Sequence, residues 1–271
     1  MRFLSFVSYQ LRSQLLRWRW LLPVPLFFFL VYRAHNYLQH LLANGSLVNW
    51  WDMLLIVTGN FQYLYFGTAL LFVYLVSDLL PESNNGQLVV LRLRSRTKWW
   101  LGKLWTLALL AAIYLLVLHL LVGGAAALTL PVEPGFSPQA QQNPMSVNLD
   151  FSRNPSVSPA LYLLKNAGLM FMGFVTFGLL MMVVNQLTGK YYYGLLTGII
   201  VLFGSMVGFM LSGLPAWAKW LPGWHLSYIN VMPVRTVPTN QSFAYWGVLI
   251  IVLYLIGAHI SRRQDLSAAQ D

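Results

Sequence analysis

The chain has 271 residues, of which 58% are hydrophobic, 15% aromatic and only 9% charged, with a formal net charge of +10. Soluble domains carry about a quarter charged residues, so water is not the solvent for most of this surface. The lack of cysteine excludes disulfides, thiol catalysis and thiolate-ligated metal sites.

Residues 3–19 read as an amphipathic helix. Phe3, Phe6, Val7, Leu11 and Leu15 recur at helical spacing, Arg12, Arg17 and Arg19 supply charge, and Trp18 and Trp20 mark a headgroup level. The first long apolar run comes only after those arginines, and no small-residue cleavage site follows it, so a cleaved signal peptide is not expected. The spacing predicts spans at about 20–40, 53–77, 104–128, 160–186, 193–212 and 243–260, each near the length a bilayer requires. Between the second and third lies a short, polar, basic segment, 78–103. Residues 129–159, with six prolines and a glutamine cluster, read as an outer loop with little regular structure. A tight turn at Thr188, Gly189 and Lys190 joins the fourth and fifth spans. The stretch 213–242 is rich in Pro and Trp and too broken to span, and reads as an outer re-entrant or interfacial helix pair.

Charge sets the orientation. Arg2, Arg12, Arg17, Arg19, Arg92, Arg94, Arg96, Lys98, Lys103, Lys190, Arg262 and Arg263 fall on one side, and only Arg33, Arg153, Lys165, Lys219 and Arg235 on the other. Basic loops stay cytoplasmic, so both termini are expected inside. The same bias accounts for the net charge without a nucleic-acid partner. The expected fold class is therefore an all-α membrane protein, 1–271 being one six-span transmembrane domain in contact with membrane lipid.

Chemistry is sparse. Neither Gly-Lys pair (102–103, 189–190) has a glycine five residues upstream of its own glycine or a following Ser or Thr, so no phosphate-cradling loop exists. The five histidines are scattered, no His-Glu-x-x-His occurs, and no metal site or catalytic residue is proposed. All seven acids fall at helix ends or in loops, which argues against a proton- or sodium-coupled carrier. An intramembrane enzyme would need a cluster of polar groups at one depth, and none is legible. Gly194, Gly198, Gly204 and Gly208 lie within an arc of about 120° on one helix face. They predict close helix packing, with a dimer face or a substrate-lining face as the alternatives.

The segment 78–103 is the most informative. Its acids, Asp78 and Glu82, precede an apolar stretch, and its bases, Arg92, Arg94, Arg96, Lys98 and Lys103, follow it. That polarity suits a short helix dipole and a charged face open to a cytosolic partner. Glu82, Gly86, Leu91, Arg92, Ser95, Arg96, Trp100, Gly102 and Lys103 together resemble the loop between the second and third spans of type-two ABC exporter permeases, the membrane subunits of drug, peptide, polysaccharide and lipid exporters. The overall plan is similar too: an N-terminal interfacial elbow helix, six spans, and broken outer helices between the fifth and sixth.

The resemblance implies a permease that pairs with a second, identical or homologous, permease and docks a cytosolic ATP-binding subunit through a coupling helix at 79–91. ATP and magnesium would sit on that partner, with no cofactor bound directly by this chain. It also implies residence in a bacterial cytoplasmic (plasma) membrane. Glu82, Gly86, Leu91, Arg92 and Arg96 are the expected coupling residues, and Asn60, Tyr63, Tyr65, Gly198 and Gly204 the candidate translocation face. The alternatives are a non-transporting sensor or assembly subunit, an intramembrane enzyme and a secondary transporter.

Overall fold

Helices α5 (Arg96–Thr129), α7 (Pro159–Thr188) and α9 (Thr239–Arg263) are each long and apolar enough to cross a membrane. Two bent helix pairs raise the number of candidate spans to as many as five. The computed structural model describes residues 3–80, 93, 95–147, 158–210, 220–227 and 238–263. Among these every regular element is helical and there is no strand. The architecture is consistent with a membrane-embedded helical protein.

Helix α1 (Phe3–Leu15) is followed by Arg17, whose extended backbone (φ −76°, ψ 138°) turns the chain. A 3₁₀ turn (Trp18–Leu21) leads into α2 (Pro23–Ala43), which opens on Pro23, where a missing N–H costs no helical hydrogen bond. The segment from Trp18 to Ala43 lies at 73° to α1. Helix α1 packs on the start of α5, with Phe6 fully buried against Gly102.

The run 53–77, expected as one continuous span, is instead two helices, α3 (Trp50–Gly59) and α4 (Leu70–Val76), joined through a π-helical turn (Tyr63–Ala69). The two halves meet at 78°. The cause is local. Gly59 is a poor helix former, and Asn60 adopts an extended backbone (φ −67°, ψ 123°). Its side-chain oxygen accepts the N–H groups of Gln62 (2.9 Å) and Tyr63 (3.3 Å), which starts a new helix. Within the π turn the Thr68 hydroxyl donates to the Tyr63 carbonyl at 3.1 Å, and the Tyr114 hydroxyl donates to the Thr68 carbonyl at 2.8 Å.

Helix α3 is enclosed on all sides: every residue from Asp52 to Gly59 is buried, against α2, α5 and α7. Below it an aromatic core joins four elements. Phe27 meets Tyr114 edge-on at 5.2 Å, and Phe72 stacks on Phe174 at 4.7 Å. Helix α5 begins eight residues ahead of the expected 104, because Ser95 caps it by accepting the Lys98 N–H at 3.3 Å.

The loop after α5 is more regular than its composition suggests. It carries a short helix, α6 (Pro138–Gln142), and a 3₁₀ turn (Pro144–Val147). Its backbone carbonyls are tied to the tip of α3. Glu133 O accepts both Trp50 Nε1 (3.0 Å) and Trp51 Nε1 (2.8 Å), and Gly135 O accepts Asn49 Nδ2 (2.9 Å). Asp52 accepts the Asn49 N–H at 2.8 Å and the Ser137 hydroxyl at 3.0 Å.

Helix α7 is the central long helix and is followed by Gly189 in the left-handed region (φ +71°), which closes the tight turn into α8 (Tyr191–Met210). Helix α9 is peripheral. Only Ser242, Trp246, Gly257, Ala258 and Ser261 of it are buried, whereas Val248, Ile251 and Leu255 are about 60% exposed. An apolar face turned outward over a whole helix fits hydrocarbon rather than water.

Candidate functional site at the basic end of the bundle

Arg17, Arg19, Arg96, Lys103, Arg262 and the last turn of α7 meet at one end of the bundle, where α4 runs out at Ser77–Leu80. This exit leads directly into the segment 81–94. Three elements hold it. From the α1–α2 corner, Arg17 and Arg19 both pair with the Asp78 carboxylate. From α5, Lys103 is 1% exposed and donates to the Leu79 carbonyl (3.1 Å) and to Gln10 Oε1 of α1 (3.0 Å). From α7, Asn185 donates to the carbonyls of Ser77 (2.8 Å) and Leu80 (2.9 Å). The Asn185 oxygen accepts the Gly194 N–H at 2.8 Å, so one side chain joins the ends of α4, α7 and α8. Buried polar groups that are fully bonded fix a single arrangement.

The run from Ser95 to Lys103 is engaged residue by residue. Ser95 caps α5, and Arg96 donates to the Arg262 carbonyl at 2.8 Å, joining α5 to the end of α9. Trp100 is fully buried against Gly257 and donates its indole N–H to the Tyr254 carbonyl at 3.0 Å. Gly102 leaves room for the Phe6 ring. Deeper in, Gln186 Nε2 donates to Ser261 Oγ at 2.7 Å. Of the expected coupling residues, Arg96 is placed as above. Glu82, Gly86, Leu91 and Arg92, and with them most of the 79–91 helix, lie outside the described residues.

The candidate translocation residues divide by location. Asn60 and Tyr63 lie at the break in the second segment, Asn60 as its cap. Tyr65 is buried and donates its hydroxyl to the Gly223 carbonyl at 2.7 Å. Gly198 is a packing position, since a Cβ there would fall 2.7 Å from Met181 Sδ and 3.1 Å from Val73 Cγ1. Among the described residues nothing lies within 4 Å of a Cβ placed on Gly204. The helix α8 glycines therefore split: Gly194 and Gly198 admit neighbours within the chain, and Gly204 admits none among the described residues.

Tyr65 belongs to a second polar group, built around a 3₁₀ turn (Pro222–His225) that packs on α7, α8 and α9. Asn166 is fully buried, donates to the Thr58 carbonyl (3.2 Å) and accepts the Ser227 hydroxyl (2.9 Å). His225 Nδ1 is hydrogen-bonded to Ser242 Oγ at 3.0 Å, its ring stacks on Tyr245 at 4.0 Å, and its carbonyl accepts Trp246 Nε1 at 2.8 Å. No such cluster was legible in the sequence, because its members come from α3, the π turn, α7, the 222–227 turn and α9. Its described bonds fasten the turn into the bundle, and both His225 and Ser242 are enclosed.

The chain matches no family model, no curated protein and no solved structure. Function therefore rests on the geometry at the basic end. Sequence reading singled out Lys103 by pattern and missed Asn185, Gln10 and Asp78 as parts of one clamp. The available signal was Asn185-Gln186, a polar pair closing an otherwise apolar run.

Proposed function

We propose that this chain is the permease subunit of an ATP-driven exporter, moving a drug-like, peptide or lipid-linked compound outward with energy from a separate cytosolic ATPase. The observation that carries the reading is the three-way hold on Ser77–Leu80, at the root of the segment 81–94. A segment that docks a motor must be rigidly rooted, or the motor's displacement is lost in a loose linker. Here a push on it is passed to the α1–α2 corner through Asp78, to α5 through Lys103 and to α7 through Asn185. Ligand-driven closure of the partner could then bias a bistable helix interface.

Under this reading α2, the bent α3–α4 pair, α5, α7, α8 and α9 are the six spans, and α1 is the elbow. The basic end is cytoplasmic by the positive-inside rule. The membrane is a bacterial plasma membrane, and a second permease completes the transport path. Glu82, Gly86, Leu91, Arg92 and Arg96 would face or support the ATPase.

Two measurements test the proposal. The chain has no cysteine, so Lys98→Cys, at an exposed position, gives a single label site. An impermeant maleimide should react with it in inside-out vesicles and not in intact cells. An ATP-hydrolysing subunit should co-purify from native membranes and be lost on Glu82→Lys. Labelling from outside, or no ATPase in the purified complex, overturns the reading. A bound ATPase without ATP-dependent substrate movement in reconstituted vesicles would assign a sensor or assembly subunit instead.

A further inference from the structure

Among the described residues, the corner between α1 and α2 holds more positive charge than its partner Asp78 can neutralise. Arg17 and Arg19 share the single carboxylate of Asp78. Arg17 uses one guanidinium nitrogen there and its side chain is 41% exposed. Arg12, one turn back on α1, is exposed as well. Two further donors at the corner, Arg19 Nε and Trp20 Nε1, are enclosed and have no acceptor among the described residues. Among the described residues, Asp78 thus leaves both charge and hydrogen-bonding capacity unmet.

Around this charge the surface is apolar. Leu16 is 85% exposed, Trp18 71% and Leu21 70%, all within five residues of Arg17 or Arg19. Exposed Trp and Leu beside arginine suit one ligand class, an anion that carries its own hydrocarbon. Guanidinium groups match phosphate oxygens in a planar fork, and basic residues at a membrane surface attract anionic lipid. We propose that the Arg17–Leu21 corner binds the headgroup phosphate of an anionic phospholipid, which competes with Asp78 for Arg17, the acyl chains lying along Leu16, Trp18 and Leu21. A zwitterionic lipid offers the same phosphate without net charge and would bind less well. The inference rests on the membrane setting and not on export.

The test is lipid retention by the full-length chain in detergent, read by native mass spectrometry with phosphatidylglycerol and phosphatidylcholine at equal concentration. The wild type should retain phosphatidylglycerol preferentially. Arg17→Gln should lower that retention about fivefold, the effect of one basic contact with an anionic surface. Arg17→Lys should keep most of it. Asp78→Asn should raise retention, because it removes the competing carboxylate. Opposite signs at the two partners are what loss of structure alone would not produce. Equal retention of both lipids, an unchanged Arg17→Gln, or a fall on Asp78→Asn overturns the proposal. So does displacement of the lipid by inorganic phosphate at matched concentration, which would make this a site for the free ion. Because no ATP or ATPase enters the measurement, its outcome is independent of the export reading.

Discussion

Replacing Asn185 should loosen the basic end more than any change of similar size on the periphery. Asn185→Ala removes two donors, to Ser77 O and Leu80 O, and one acceptor, from Gly194 N. Side-chain hydrogen bonds between membrane helices are worth about 0.6 kcal/mol each, so the three bonds together contribute about 2 kcal/mol. The residue is 1% exposed, so water does not readily replace the lost partners. Stranded carbonyls cost about 1–3 kcal/mol each, which raises the expected loss toward about 4 kcal/mol. Asn185→Asp keeps the acceptor for Gly194 but turns oxygens toward two carbonyls, and should be worse than alanine. Reversible unfolding in mixed micelles with increasing dodecyl sulfate measures the order Asn, Ala, Asp. A loss under about 0.5 kcal/mol for alanine, or an aspartate variant as stable as wild type, refutes the view that this side chain joins α4, α7 and α8.

Two further outcomes follow from close approaches. Gly194→Ala places a Cβ against Asn185 Oδ1 and 2.6 Å from the Met181 carbonyl, a backbone atom that cannot swing away, while Gly204→Ala meets nothing within 4 Å. The same unfolding assay should show a loss of about 1–3 kcal/mol for the first and little change for the second. Gly102→Ala drives its methyl into the Phe6 ring and should separate α1 from α5. In a double-mutant cycle, Phe6→Ala should relieve much of that cost, and strict additivity would show that the ring is not the obstacle.

Several features were legible because they depend on local chemistry. Ser158-Pro159 announces the start of α7, and Gly189 its end, since capping and left-handed backbone have short-range signatures. The apolar runs mark the long helices because hydrocarbon length is a one-dimensional property. The break at Gly59-Asn60 was hidden inside a run that stays apolar on both sides. Only the extended backbone of Asn60 and its bonds to Gln62 and Tyr63 distinguish a corner from a polar residue in a continuous helix. Gln10, Gln14, Lys103 and Asn185 look like surface positions in a sequence, and all four are buried. Lys103 reaches Gln10 and Leu79, and Asn185 reaches Ser77 and Leu80, tens of residues away, so periodicity carries no trace of these bonds. The polar group at 222–227 was illegible for the same reason. The loop 130–147 misled in the other direction: its prolines suggest disorder of form, yet its carbonyls accept the indoles of Trp50 and Trp51.

The corner at Asn60 has a mechanical consequence. A straight helix transmits torque along its axis because each turn is bonded to the next. Here that ladder is interrupted, because the Asn60 side chain rather than a backbone carbonyl accepts the Gln62 and Tyr63 N–H groups, so α3 and α4 are not one rigid rod although both are encased by their neighbours. Under the export proposal a displacement applied at Ser77 would travel up α4 into the π turn, meeting first the Thr68 carbonyl, which accepts the Tyr114 hydroxyl, and then Tyr65, whose hydroxyl donates to the Gly223 carbonyl. The second segment is thus jointed rather than continuous, and below the joint its π turn is held to α5 through Tyr114 and to the 222–225 turn through Tyr65.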